Sequence, residues 1–243
     1  MALLEVRGVS VRFGGLLAVD DTSISVERAC VNGLIGPNGA GKTTLFNVIT
    51  GLQEPTTGRV ELDGRDVTRL RPHRRARLGI SRTFQRLEVF GSLTARENVL
   101  VAAEKRLGFF SSLQAGRVAD ELLERVGIAS VANERLEALP TGTARLVELA
   151  RALATQPRVL LLDEPSSGLN EDETEAMGVL LTELAKDGLA VLLVEHDMRF
   201  VMGTCVHIEV LDFGRVIARG APEAIQSDPA VQHAYLGTTK SPG

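Results

Sequence analysis

An α/β fold built on a parallel sheet, preceded by an alternating β region and interrupted by a helical insertion, is what this sequence predicts. Two apolar runs of strand length, Val159-Leu160-Leu161-Leu162 and residues 189–194, show no alternation, which marks strands buried on both faces. Each follows a helical stretch, residues 145–154 and 173–186, and strands separated by helices run parallel. The N-terminal part shows the other strand pattern, apolar residues alternating with polar ones.

Taken in order, Leu4, Val6, Val9 and Val11 form the first alternating set and Ile24 with Val26 the second. Val60 and Leu62 form a third, after a turn at Thr56-Thr57-Gly58. Val31-Asn32-Gly33-Leu34-Ile35 differs from these, because it runs into a glycine-rich loop and then a helix from Lys42 to about Gly51. From about Phe90 to Thr155, Leu93, Val99, Leu100, Leu107, Val118, Leu122, Leu123 and Val126 fall at helical spacing without strand signals. That stretch is the insertion, so the expected layout is 1–89, 90–155 and 156–243 within a single domain. The second buried strand follows a helix that ends at Gly188, a residue suited to a C-terminal cap. Residues 208–211 and 215–217 around Asp212-Phe213-Gly214 read as a hairpin, and a helix is expected near residues 222–226.

Composition narrows the class. The chain has 243 residues, 44% hydrophobic and 24% charged, as expected of a globular domain with a sizeable core. Its longest unbroken apolar run, residues 189–194, is far short of the roughly 20 residues a membrane helix needs. Met1-Ala2-Leu3-Leu4-Glu5 has no basic region leading into an apolar core, so no signal peptide is expected. Cys30 and Cys205 stand alone, which fits a reducing cytosol and argues against a disulfide or zinc scaffold. A net charge of −4 provides no bulk attraction to nucleic acid or anionic lipid.

Gly36-Pro37-Asn38-Gly39-Ala40-Gly41-Lys42-Thr43-Thr44 fits GxxxxGK[ST] between a buried strand and a helix. Glycines let the backbone wrap a phosphate so that several N–H groups converge on its oxygens, and the helix dipole adds positive potential. Lys42 would reach the β- and γ-phosphates, the Thr43 hydroxyl would ligate Mg²⁺, and Thr44 would donate to the α-phosphate. The run Val159-Leu160-Leu161-Leu162-Asp163-Glu164-Pro165 ends a buried strand with two acids, where α/β proteins place ligands. Asp163 suits the metal through its water shell. Glu164 suits the attacking water as general base. Taken alone, the two acids would serve as well to cap the next helix.

These motifs, with Ser167-Gly168-Leu169-Asn170, resemble the nucleotide-binding subunit of an ABC transporter. The resemblance covers the chain from Phe13 to Leu236 and implies a P-loop NTPase (RecA-like) core, an antiparallel β subdomain and an inserted α-helical subdomain, with ATP and Mg²⁺ as ligands. It implies that Gln85, in Arg82-Thr83-Phe84-Gln85, touches Mg²⁺ or the water while its loop meets the membrane subunit. It implies that His196, in Glu195-His196-Asp197, contacts the γ-phosphate, and that Phe13, in Arg12-Phe13-Gly14-Gly15, stacks on adenine. Read from the residues alone, Phe13 serves equally as a core aromatic.

One segment departs from the family pattern. Where an LSGGQ-type signature is expected, this chain has Leu139-Pro140-Thr141-Gly142-Thr143. Gly142 and the helix start can still aim N–H donors at the phosphate of the opposite subunit's nucleotide. Pro140 lacks both the serine hydroxyl and the N–H, and Thr141 offers a hydroxyl from a shifted position.

Within the family, several segments resemble the LivG-like subunits of branched-chain amino-acid importers. They are Phe13-Gly14-Gly15-Leu16 with Ala18-Val19-Asp20, Arg82-Thr83-Phe84-Gln85, residues 93–102, Glu195-His196-Asp197-Met198 with Val201-Met202-Gly203, and Ala234-Tyr235-Leu236-Gly237. This implies a second ABC ATPase subunit, two integral-membrane permease subunits, an external solute-binding protein acting indirectly, and a place at the cytoplasmic face of the plasma membrane. Related systems carry urea or amides, or export lipid and lipopolysaccharide. The remaining alternative is a soluble ABC ATPase outside transport, which typically has two fused cassettes or a long coiled-coil insertion. The basic run Arg69, Arg71, His73, Arg74, Arg75 and Arg77 lacks the interleaved aromatics of a nucleic-acid surface. It is expected to be a solvated face, or else a contact for permease loops or headgroups.

Overall fold

Period-two alternation sorts the buried strands onto two cores in the computed structural model, which describes residues 2–83, 87–107 and 112–236. Gln85 lies outside the described residues. The chain begins with β1 (Ala2–Phe13) and β2 (Leu16–Glu27), then β3 (Val31–Ile35), α1 (Lys42–Thr50), β4 (Thr57–Leu62) and β5 (Arg65–Asp66). The strands β2-β1-β4-β5 form an antiparallel sheet in that order. Next come α2 (Pro72–Arg77), β6 (Ile80–Arg82), α3 (Ala95–Leu107), α4 (Ser112–Arg125) and α5 (Thr141–Ala154). The remainder is β7 (Val159–Asp163), α6 (Glu171–Lys186), β8 (Ala190–Val194), α7 (Met198–Thr204), β9 (His207–Asp212), β10 (Arg215–Gly220), α8 (Pro222–Ser227) and α9 (Pro229–Leu236).

The second sheet has the order β10-β9-β3-β8-β7-β6, parallel throughout except for the β9–β10 hairpin. Every residue of β7 and β8 is buried, as the unalternated runs require. So is every residue of β3, including the polar Asn32, whose amide donates to the Val191 carbonyl at 3.1 Å. Leu34, Leu161, Leu192 and Val194 face α1 and the antiparallel sheet, packing with Leu45, Phe46, Val48 and Ile49. Ile35, Leu160, Leu162, Val191 and Leu193 face the other way, onto the core shared with α3 to α7. Successive residues of one strand therefore hold two layers together. Among the described residues, no helix is long and apolar enough to cross a membrane.

Several elements start earlier than their patterns predict, or carry no pattern at all. Helix α5 begins at Thr141, and α6 begins at Glu171 behind an Asn170–Glu173 capping box. Strand β6 is a three-residue edge strand, and α2, α7 and α9 are short helices, too brief for periodicity to register. The basic run needs a correction. It is not one solvated face, because Arg75 is fully buried. Its guanidinium donates to the carbonyls of Val48 (2.6 Å), Ile49 (2.8 Å), Leu70 (2.9 Å) and Thr68 (2.6 Å), closing the end of α1.

Candidate active site

The phosphate loop leaves β3 by a turn that only glycine fits. Gly36 has φ 150°, and a Cβ there would lie 2.0 Å from the Leu211 carbonyl oxygen. Gly41, with φ 104°, would bring a Cβ within 2.5 Å of the Ala18 oxygen. Gly39 faces open space, and Asn38 beside it is exposed, while Ala40 is buried and accepts the Gly214 N–H at 2.9 Å. The loop is thus wedged between β2 and the β9–β10 turn.

Helix α1 starts at Lys42 with no side-chain cap and no acid in its first turn. Its leading N–H groups have no intrahelical acceptor, so Lys42, Thr43 and Thr44 present donors and the positive dipole end to an anion. The Lys42 ammonium folds back and donates to the Gly36 and Pro37 carbonyls at 2.6 and 2.9 Å. Burial holds its pKa below the usual lysine value, opposed by the nearby carboxylates of Glu164 and Asp163.

Those carboxylates come from the end of β7. Asp163 is buried and takes Arg82 Nη2 on its Oδ2 at 2.8 Å, with Arg82 Nη1 on Asn47 Oδ1 at 2.6 Å. The Arg82 guanidinium also lies 5.3 Å from the Phe46 ring centre. Glu164 follows at φ 50°, a left-handed conformation that costs a residue with a Cβ about 1–3 kcal/mol and recurs at functional sites. Its N–H donates to the Val194 oxygen at 2.9 Å, tying it to the end of β8. His196, two residues beyond that strand, places Nδ1 3.9 Å from Glu164 Oε1 and keeps its side chain 71% exposed.

Lys42, Asp163, Glu164 and His196 therefore converge at the C-terminal edge of the parallel sheet. Phe13 stands at the end of β1, opposite Leu16, close in the chain to the Ala18 that abuts the loop. It is 48% exposed and belongs to neither core. Thr141 and Gly142 lie elsewhere, on the first turn of α5, against Gly168 and the Glu173 carboxylate. Three groups at the site have no role assigned from the sequence: Asn47, and Arg82 and the buried acid Glu195, which stand in the segments quoted for Gln85 and His196. The one signal for Glu195 is an acid directly after an apolar run.

The chain matches the family model "ABC transporter" over residues 19–167 and that of the "Branched-chain amino acid ATP-binding cassette transporter" over residues 215–240. It is 43% identical to the high-affinity branched-chain amino acid transport ATP-binding protein BraF of Pseudomonas aeruginosa, over 97% of this chain and 98% of that protein. It is 42% identical to LivG of Escherichia coli K12 over the same shares. The lipopolysaccharide export ATP-binding protein LptB of Haemophilus influenzae is 35% identical, over 98% of each. A crystallised ATP-binding cassette of an ABC transporter in its ADP conformation superposes with a TM-score of 0.88 at 32% identity, covering 98% of this chain and 99% of that one. The chain belongs to the ABC transporter family, as an ATP-binding subunit that hydrolyses ATP.

Proposed function

We propose that this chain powers the uptake of branched-chain or other hydrophobic amino acids, from the cytoplasmic face of the membrane, through separate permease subunits and with a second ABC ATPase subunit. The observation that carries the enzymatic part is Glu164, held at positive φ beside Lys42 and His196. The uncapped N-terminus of α1, with Thr43 exposed and Asp163 near Lys42, suits a triphosphate and its Mg²⁺. Thr43, Asp163 and, by resemblance, Gln85 would hold the ion, which supplies charge neutralisation on the phosphates. Asn38 to Thr44 would wrap the phosphates, and Phe13 would cover the adenine.

Glu164 takes a proton from water as its oxygen attacks the γ-phosphorus. The bond to the bridging oxygen breaks, and ADP leaves with the electron pair. His196 would steady the γ-phosphate. Thr141 and Gly142 would serve the nucleotide of the partner subunit. What supports amino-acid import over lipopolysaccharide export is the family match at residues 215–240 and the higher identity to BraF and LivG.

The test uses the transporter purified from its native membranes, where the identity of the copurifying permeases decides between import and export. In that complex Glu164→Gln keeps ATP affinity by calorimetry, while single-turnover hydrolysis at this chain's phosphate loop falls about 100-fold or more. Lys42→Ala loses both. An unaltered rate in Glu164→Gln removes the assigned base.

A further inference from the structure

Glu195 is the most deeply buried acid beside the site, and nothing in the phosphate chemistry above uses it. Its side chain has no exposure, although it directly follows β8 and directly precedes the exposed His196. An acid so placed is tolerated only where donors replace water. Its two oxygens take those donors from two different loops. Oε1 accepts the Ser166 N–H at 2.9 Å and the Ser166 hydroxyl at 2.5 Å. Oε2 accepts the His196 N–H at 2.9 Å and the Asp197 N–H at 3.4 Å, and lies 3.5 Å from His196 Nδ1.

Ser166 is two residues beyond Glu164, and the Ser167 N–H closes that turn on the Glu164 carbonyl at 3.1 Å. Asp197 in turn caps α7 through the N–H groups of Arg199 and Phe200. One carboxylate therefore clasps the loop that carries Glu164 and the loop that carries His196. We infer that Glu195 is a positioning residue for hydrolysis, which fixes the His196 ring against Glu164 by holding both loops at one buried point. This inference rests on the roles given above to Glu164 and His196. A glutamine is nearly isosteric yet offers one acceptor where the carboxylate offers two, and it turns an NH₂ toward the N–H donors of one loop.

The test is a double-mutant cycle in the purified transporter, read as turnover, ATP affinity and unfolding midpoint. Glu195→Gln is expected to lower turnover about tenfold or more, as the loss of a charge-assisted hydrogen bond does, with ATP affinity held within about threefold. In a His196→Ala background the same substitution is expected to add less than about threefold, because the group it positions is gone. A staple that merely holds the fold would lower the unfolding midpoint and multiply the two losses in full. That result, or wild-type turnover in Glu195→Gln, overturns the inference. Wild-type turnover in His196→Ala instead overturns the His196 assignment beneath it, which is a different result on a different variant. Should Glu195→Gln not fold, Ser166→Ala removes one donor and is expected to cost about two- to fivefold in turnover at unchanged ATP affinity; no loss there overturns the inference.

Discussion

At the scale of single residues, the site is a set of charges held ready against one another. Asp163 faces a cation in the structure, the guanidinium of Arg82, and both side chains are almost fully buried. Truncating one partner of such a pair strands the other charge away from water, at about 3–5 kcal/mol. Arg82→Gln is therefore expected to lower the unfolding midpoint substantially in the absence of nucleotide. Magnesium-ATP, if it brings a divalent cation to Asp163 as proposed, restores part of that loss, over and above the stabilisation that binding gives the wild type. Thermal unfolding of both proteins with and without magnesium-ATP measures the difference. An identical deficit in the two conditions would show that no cation reaches Asp163. The strain at Glu164 belongs to this scale as well, since its φ of 50° is set by the turn that joins β7 to the Ser166 loop.

At the scale of elements, what could be read from the sequence divides along physical lines. The buried strands β7 and β8 announce themselves because burial on both faces favours an unbroken apolar run. Strand β3, which carries the buried Asn32, does so by its place before the glycine-rich loop, and that loop because only glycine makes its turns at Gly36 and Gly41. While the roles given to them belong to the proposal above, Lys42 is legible from the glycine-rich motif at the start of α1, and Asp163, Glu164 and His196 from their places at or just beyond the ends of β7 and β8. Helix α2 is not, because six residues give no period, and its arginines look alike in sequence. Arg75 is distinguished only by what the fold brings to it, four carbonyls from α1 and from the turn after β5. Burial pushes its pKa down to about 10, still far above neutrality, so it remains a cation. The role of Glu195 is hidden likewise, since the partner that joins it to the other loop, Ser166, lies 29 residues away in the chain. Arg75→Met keeps much of the apolar volume but takes the guanidinium donors from the buried Ile49 carbonyl and from the part-buried Leu70 and Thr68 carbonyls, while Val48 keeps the Gly51 N–H. An unsatisfied buried acceptor costs about 1–3 kcal/mol. The substitution is expected to cost several times more stability than the same change at exposed Arg74 or Arg77. Urea unfolding of the three variants checks this, and equal midpoints would mean that water or another side chain takes over the end of α1.

At the scale of the whole molecule, the departure in the signature becomes an argument about two sites. Helix α5 opens at Pro140 with no side-chain cap, and the N–H groups of Thr141, Gly142 and Thr143 form its leading turn. An incoming phosphate would find those donors and the helix dipole, but no serine hydroxyl and no N–H at Pro140. It would also approach the Glu173 carboxylate, so close to Gly142 that a Cβ there would sit 2.8 Å from Oε1. Glu173 is held in place by its capping box, in which Asn170 and Glu173 exchange bonds at 2.9 Å, so it does not swing aside without loss. This chain's signature should therefore serve the partner's nucleotide less well than a partner with the usual serine serves the nucleotide on Lys42. In a pair of unlike ATPase subunits, the faster site is then the one built on this chain's phosphate loop. Glu164→Gln is expected to remove well over half of the steady-state turnover of the assembled transporter, and the matching substitution in the partner well under half. Glu173→Gln removes the nearby negative charge while keeping an acceptor for Asn170, and is expected to raise occlusion of ATP at the partner's site. Equal losses from the two glutamine variants, with occlusion indifferent to residue 173, would mean that Thr141 and the helix dipole replace the missing serine in full.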